Sequence, residues 1–146
     1  MANTSSHANP DIKPVHLRPD ELPSVDRGGG NRTIPLVTRA TGSRQMLTGM
    51  TMIGPGSAIQ WHFHDCEETV LVLEGEGFAE IGDECMPVRP MDATWIPPNL
   101  PHRFRNGSSE KPLKIMWVYA SVDATRTMVE TGVTQPVSAE HLKKSA

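Results

Sequence analysis

Proline and glycine set the strongest limit on what this chain can become. The 13 prolines and 12 glycines are spread along all 146 residues. Each one either fixes the backbone or frees it, so a helix of ordinary length has almost nowhere to run uninterrupted. Between them lie short stretches rich in β-branched residues, bounded by Gly, Pro, Asn or Asp. This pattern predicts strands over residues 34–38, 46–53, 58–64, 69–74, 77–81, 84–88, 93–96, 102–106 and 113–122, at a spacing that suits an all-β sandwich or barrel. Ile81-Gly82-Asp83-Glu84 reads as a tight hairpin, and Gly54-Pro55-Gly56 as a second turn.

The sequence divides into three parts. Residues 1–33 are poor in apolar side chains, broken by prolines and closed by Gly28-Gly29-Gly30, and read as an extended N-terminal arm. Residues 34–131 form the β domain, and 132–146 a C-terminal tail in which Ser138 to Lys144 fits one short capped helix. The arm carries Val15, Leu17, Leu22 and Val25 at intervals suited to an added edge strand. That predicts a homodimer in which the arm packs on a partner's sheet.

Charge and composition exclude several roles. A net charge of −3 leaves no basic surplus for nucleic acid, and no run of about 20 apolar residues is present to span a bilayer. Two cysteines, Cys66 and Cys85, are too few for a disulfide scaffold, and the N-terminal residues lack the apolar core of a signal peptide. The expected setting is the cytoplasm, with both thiols reduced.

The chemistry concentrates between Gly56 and Gly75. On a strand, residues two apart share a face, so His62 and His64 present two imidazoles side by side. After the turn at Asp65-Cys66, a second strand can return a carboxylate over them. Both Glu67 and Glu68 compete for that place, and parity with the histidines favours Glu68. Farther on, the stiff Pro97–Pro101 turn delivers His102 to the start of another strand. Three imidazoles and one carboxylate on neighbouring strands make a mixed N/O set, suited to one divalent transition metal and not to Ca or Mg. Gln60, two residues before His62, lies on the same face and is the candidate for orienting a water or a substrate oxygen. Arg103 and Arg105 alternate with His102 and face away from it.

These residues resemble the cupin superfamily. Its first motif is matched at every fixed position by Gly56, His62, His64, Glu68 and Gly75. Its second is matched by Asp92, Ile96-Pro97, His102 and Asn106, with two departures: Met91 stands where a glycine usually precedes the aspartate, and Arg89 where a proline is usual. The resemblance implies a double-stranded β-helix, a jelly-roll sandwich with a metal near one open end. It assigns His62, His64, Glu68 and His102 as the ligands. Gly28 to Thr33 and Asp123 to Thr127 are also similar to small monocupins that include zinc-dependent polyketide cyclases. Zn is therefore the first expectation, with Fe, Mn, Ni and Cu also compatible with the ligand set.

The expected function is a metal-dependent enzyme acting on a small apolar or aromatic molecule, with polyketide cyclisation as the specific reading. A cupin dioxygenase or isomerase, or a non-catalytic metal-dependent ligand sensor, are the alternatives.

Overall fold

The structure, a computed structural model, describes His7 and residues 9–141. Among the described residues there are twelve strands. In chain order they are β1 (Val25–Gly28), β2 (Asn31–Pro35), β3 (Leu47–Ile53), β4 (His62–His64), β5 (Glu68–Glu74) and β6 (Gly77–Ile81), followed by β7 (Glu84–Val88), β8 (Ala93–Ile96), β9 (His102–Asn106), β10 (Leu113–Tyr119), β11 (Thr125–Met128) and β12 (Thr134–Pro136). They form two six-stranded antiparallel sheets, ordered β1-β2-β3-β10-β5-β8 and β12-β11-β4-β9-β6-β7. The two faces pack as a jelly-roll sandwich.

Alternation explains why these segments are strands. In β10, Leu113, Ile115, Trp117 and Tyr119 are buried while Lys114, Met116 and Val118 are half-buried on the other face. In β5, Glu68, Val70 and Val72 point inward and Thr69 and Leu73 outward. Ile53, Val70, Val72, Ile96 and Leu113 make the fully buried centre of the core. Apolar burial of this kind is worth about 25 cal/mol per Å² and is the main force holding the two sheets face to face.

The structure departs from the sequence pattern at the ends of the domain. The first sheet begins at Val25, within the segment expected to be an arm, because β1 and β2 fold as a hairpin against β3. The turn between them is Gly28-Gly29-Gly30, with φ of 84°, 64° and 84°, a left-handed path that residues with side chains rarely follow. Val25 is thereby buried in its own molecule, whereas Val15 stays exposed. At the other end, β11 and β12 extend the second sheet. A 3-10 helix over Val137–His141 follows, earlier and tighter than the helix expected from Ser138. Leu142 to Lys144, the rest of that expected helix, lie outside the described residues.

Within the domain, the strand expected over 58–64 is shorter. Only His62–His64 pair as a strand, and Ala58 makes an isolated bridge to Arg105. Among the described residues, no helix is long and apolar enough to cross a membrane.

Candidate metal centre and cavity

His62 and His64 occupy the inward positions of β4, and His102 opens the neighbouring β9 directly opposite His62. Their candidate ligand nitrogens lie within 4.8 Å of one another, and all three rings are buried. Glu68 reaches the same point from β5 in the facing sheet, not from a strand beside the histidines. The chain crosses the sandwich over Asp65–Glu67, and strand parity still leaves Glu68 pointing inward. Its Oε1 lies 3.0 Å from His102 Nε2 and 3.6 Å from His64 Nε2. Glu67 turns outward and accepts a hydrogen bond from the Trp95 indole at 3.0 Å.

Backbone carbonyls fix the tautomer of each imidazole. His62 Nδ1 meets the Gln60 carbonyl at 2.6 Å, His64 Nδ1 the Thr125 carbonyl at 2.9 Å and His102 Nδ1 the Leu100 carbonyl at 2.9 Å. A carbonyl oxygen only accepts, so each Nδ1 carries the hydrogen and each Nε2 presents a lone pair to the centre. Burial pushes the His62 imidazole well below its ordinary pKa, with the positive charge of Arg126 adding to the effect. Burial also lowers His64, against the opposing pull of Glu68. These two rings therefore stay neutral, as metal ligation requires.

This arrangement leaves buried polar atoms with nothing to bind. His64 Nε2, His102 Nε2 and Glu68 Oε1 are all buried without a hydrogen-bond partner among the described residues. A lone pair and a carboxylate oxygen 3.0 Å apart repel unless a cation lies between them. A divalent transition ion satisfies all of them at once, and the imidazole and carboxylate donor set suits it. Cys66, next to the cluster in sequence, is half-buried against the core. Its thiol is pushed up to about 11 by burial, and its sulfur is not among the ligand atoms that converge.

The centre opens on a cavity of about 540 Å³, within the range of small-molecule sites. Phe104, Ile115, Trp117 and Tyr119 form its apolar wall. Trp117 stacks on Tyr119 with ring centroids 4.8 Å apart, and Tyr119 lies over His64 at 4.4 Å. The Trp117 indole donates to Thr51 Oγ1 at 2.9 Å, which fixes the ring at the back of the cavity.

Gln60 lies at the cavity rim and is solvent-exposed, on irregular backbone and not on a strand with His62. What it gives the imidazole is its backbone carbonyl. Arg103 and Arg105 are on the outer face, as the pattern indicated. Both pair with Glu80, at 3.2 and 2.8 Å, and lie over Trp61 and Phe78 respectively. The sequence reading did not place Arg27, Arg126 and Glu140 in the site, yet all three line the cavity. They come from β1, β11 and the C-terminal 3-10 helix, far apart in sequence, and short polar segments such as these carry no periodic signal.

The cupin domain family matches residues 49–119, which hold all four centre residues. The chain is 34% identical over 90 residues to Polyketide synthase CurC of Streptomyces cyaneus, covering 61% of this chain and 58% of that protein. It is 32% identical over 88 residues to Protein SchB of Streptomyces halstedii, covering 60% of this chain and 64% of that protein. The chain thus spans somewhat under two thirds of the length of each of these relatives. The polyketide cyclase RemF of Streptomyces resistomycificus shares the fold with a TM-score of 0.70 at 18% identity, over 86% of each chain.

Proposed function

We propose, from the premise that this chain is a cupin, that it is a metal-dependent enzyme that cyclises a polyketide-like substrate. The observation that carries this reading is the convergence of three proton-free Nε2 atoms from one sheet and an unpartnered carboxylate from the other, at the edge of an aromatic-lined cavity. The similarity to CurC, a polyketide synthase protein by name, narrows the substrate class.

In this reading His62, His64, His102 and Glu68 hold the ion, with zinc the first candidate. A divalent ion there would supply Lewis acidity toward a substrate carbonyl. The rest of the work belongs to the chain. Phe104, Ile115, Trp117 and Tyr119 hold a flat apolar substrate in a folded shape, which brings its reacting carbons together and excludes water. The side-chain amide of Gln60, at the rim, orients a water or a substrate oxygen. We also infer a homodimer, supported by the exposed Ile12 and Val15 of the N-terminal segment. A cytoplasmic setting is supported by the two unpaired cysteines.

The test is incubation of zinc-loaded protein with a short linear poly-β-ketone thioester, following ring formation by absorbance with and without oxygen. Cyclised product that forms without oxygen, disappears with chelator and returns with zinc supports the reading. Dependence on oxygen would replace it with an oxygenase. Tight binding with no product under any metal would replace it with a sensor.

A further inference from the structure

Beside the histidine cluster, the cavity wall carries two cations and one anion. Arg126 Nη1 pairs with Glu140 Oε1 at 2.9 Å. Arg27 Nη1 pairs with Glu140 Oε2 at 3.0 Å and also donates to the Glu140 carbonyl at 3.1 Å. The side chains of Arg27, Arg126 and Glu140 are only 17%, 12% and 17% exposed. One carboxylate thus faces two guanidinium groups. Within this trio one positive charge is left over, in a place largely withdrawn from water, and Glu68 lines the same cavity nearer the histidines.

Arg126 also has donors left over. Its Nε is buried with no acceptor among the described residues. Its Nη2 lies 3.2 Å from His62 Nδ1, but that nitrogen already donates its hydrogen to the Gln60 carbonyl at 2.6 Å and has no lone pair to offer. A guanidinium with one edge held by Glu140 and other donors unfilled, on a cavity wall, is arranged to receive an oxyanion. Ile115 and Trp117 line the same cavity from the facing sheet and Phe104 from Arg126's own sheet, and they suit the apolar body of the same molecule.

We propose that Arg126 is a specificity-determining residue that binds a carboxylate on the substrate, so that the molecule this cavity selects is a flat, apolar acid. The inference rests on the cavity being the substrate site, but it does not depend on the metal. The carboxylate docks on Arg126, beside the His62 ring and away from the Nε2 atoms at the centre, and leaves the centre free for another oxygen of the substrate.

Trp117, in the wall, provides the readout through its fluorescence. The probes are 2-naphthoate and 2-naphthamide, which share a ring system and differ in charge, titrated into the full zinc-loaded chain and again after chelator treatment. The acid is expected to bind at least tenfold more tightly than the amide in both forms. Arg126→Gln should erase that preference by weakening the acid about tenfold, leave the amide within twofold, and retain the bound zinc. Glu140→Gln removes the competing carboxylate but leaves Arg126 in place, and should tighten the acid several-fold; this variant decides the matter should Arg126→Gln fail to fold. Equal binding of acid and amide, or an acid preference that survives Arg126→Gln, overturns the proposal. A preference seen only with zinc present also overturns it, by placing the carboxylate on the ion. Failure of the metal reading would show instead as loss of zinc with the acid preference intact.

Discussion

Each imidazole of the centre is held at one nitrogen and open at the other, and this asymmetry makes the residues separable by mutation. His62→Ala, His64→Ala and His102→Ala each remove one neutral donor from a buried set, so each protein should purify with well under one equivalent of zinc by elemental analysis. Glu68→Gln keeps an oxygen at the same place and loses only the charge, so it should weaken zinc binding less than any histidine deletion. Glu67→Gln, which touches Trp95 and not the centre, should weaken it least. Full zinc occupancy in all three alanine variants would refute the site. Gln60 is different in kind, because its carbonyl orients His62 while its amide is free at the rim. Gln60→Ala preserves the carbonyl, so zinc content and Tm should hold while turnover falls about tenfold, roughly 1.4 kcal/mol of transition-state stabilisation. Unchanged turnover would remove Gln60 from the mechanism. The histidines and Glu68 are legible in the sequence because a period of two exposes them on strands. Arg126 is not, because its place depends on Glu140 and on β11 pairing with β4 at His64.

Strands β6 and β9, which alternate cleanly with one face in the core, fall where the sequence puts them, as do the edge strands β7 and β8, whose ends are marked by turns. Those the pattern misses, β1, β11 and β12, are edge or near-edge strands with little burial. β11 is half-buried throughout and β12 exposed throughout, so no alternation marks them. One departure from the family's pattern now has a measurable physical meaning. Met91, standing where a glycine is usual, adopts φ of 77° in the turn before β8, and its side chain is 77% exposed. Its amide donates to the Val72 carbonyl at 2.8 Å, which holds the turn in that shape. A left-handed conformation costs a residue with a Cβ about 1–2 kcal/mol, part of which glycine forfeits through its greater freedom when unfolded. Met91→Gly should therefore stabilise the protein by about 0.5–1 kcal/mol, raising Tm by roughly 2–3 °C in calorimetry. A fall in Tm would show that the turn carries no strain worth relieving.

At the scale of the molecule, two features tie distant parts together: the apolar side chains the fold leaves outside, and the centre that bridges the two sheets. Ile12 and Val15 are half exposed, at 49% and 53%, in a segment that its own sheets do not cover. A homodimer covering them predicts that sedimentation gives a two-chain species at micromolar concentration, and that deleting residues 1–20 shifts it toward monomer. A monomer at high concentration, unchanged by the deletion, would dispose of the dimer. The centre draws His62, His64 and His102 from one sheet and Glu68 from the other, so an ion bound there cross-links the sandwich and exists only in the folded state. Zinc at a thousand times its dissociation constant should add about 4 kcal/mol to unfolding, or roughly 10 °C in Tm. Calcium, which prefers an all-oxygen shell, should add almost nothing. The pH dependence of the chelated protein follows from the same burial. His62 and His64 are held below the ordinary imidazole pKa of 6.5, so below that pH the unfolded chain takes up protons that the folded one refuses. Stability of the chelated protein should be full above pH 6.5 and fall as the pH is lowered past it, while bound zinc, through the binding free energy it adds, keeps the protein folded to lower pH until protons displace it. Melting curves of the two forms between pH 8 and 5 decide this, and coincident curves across that range would mean that zinc does not bridge the sheets.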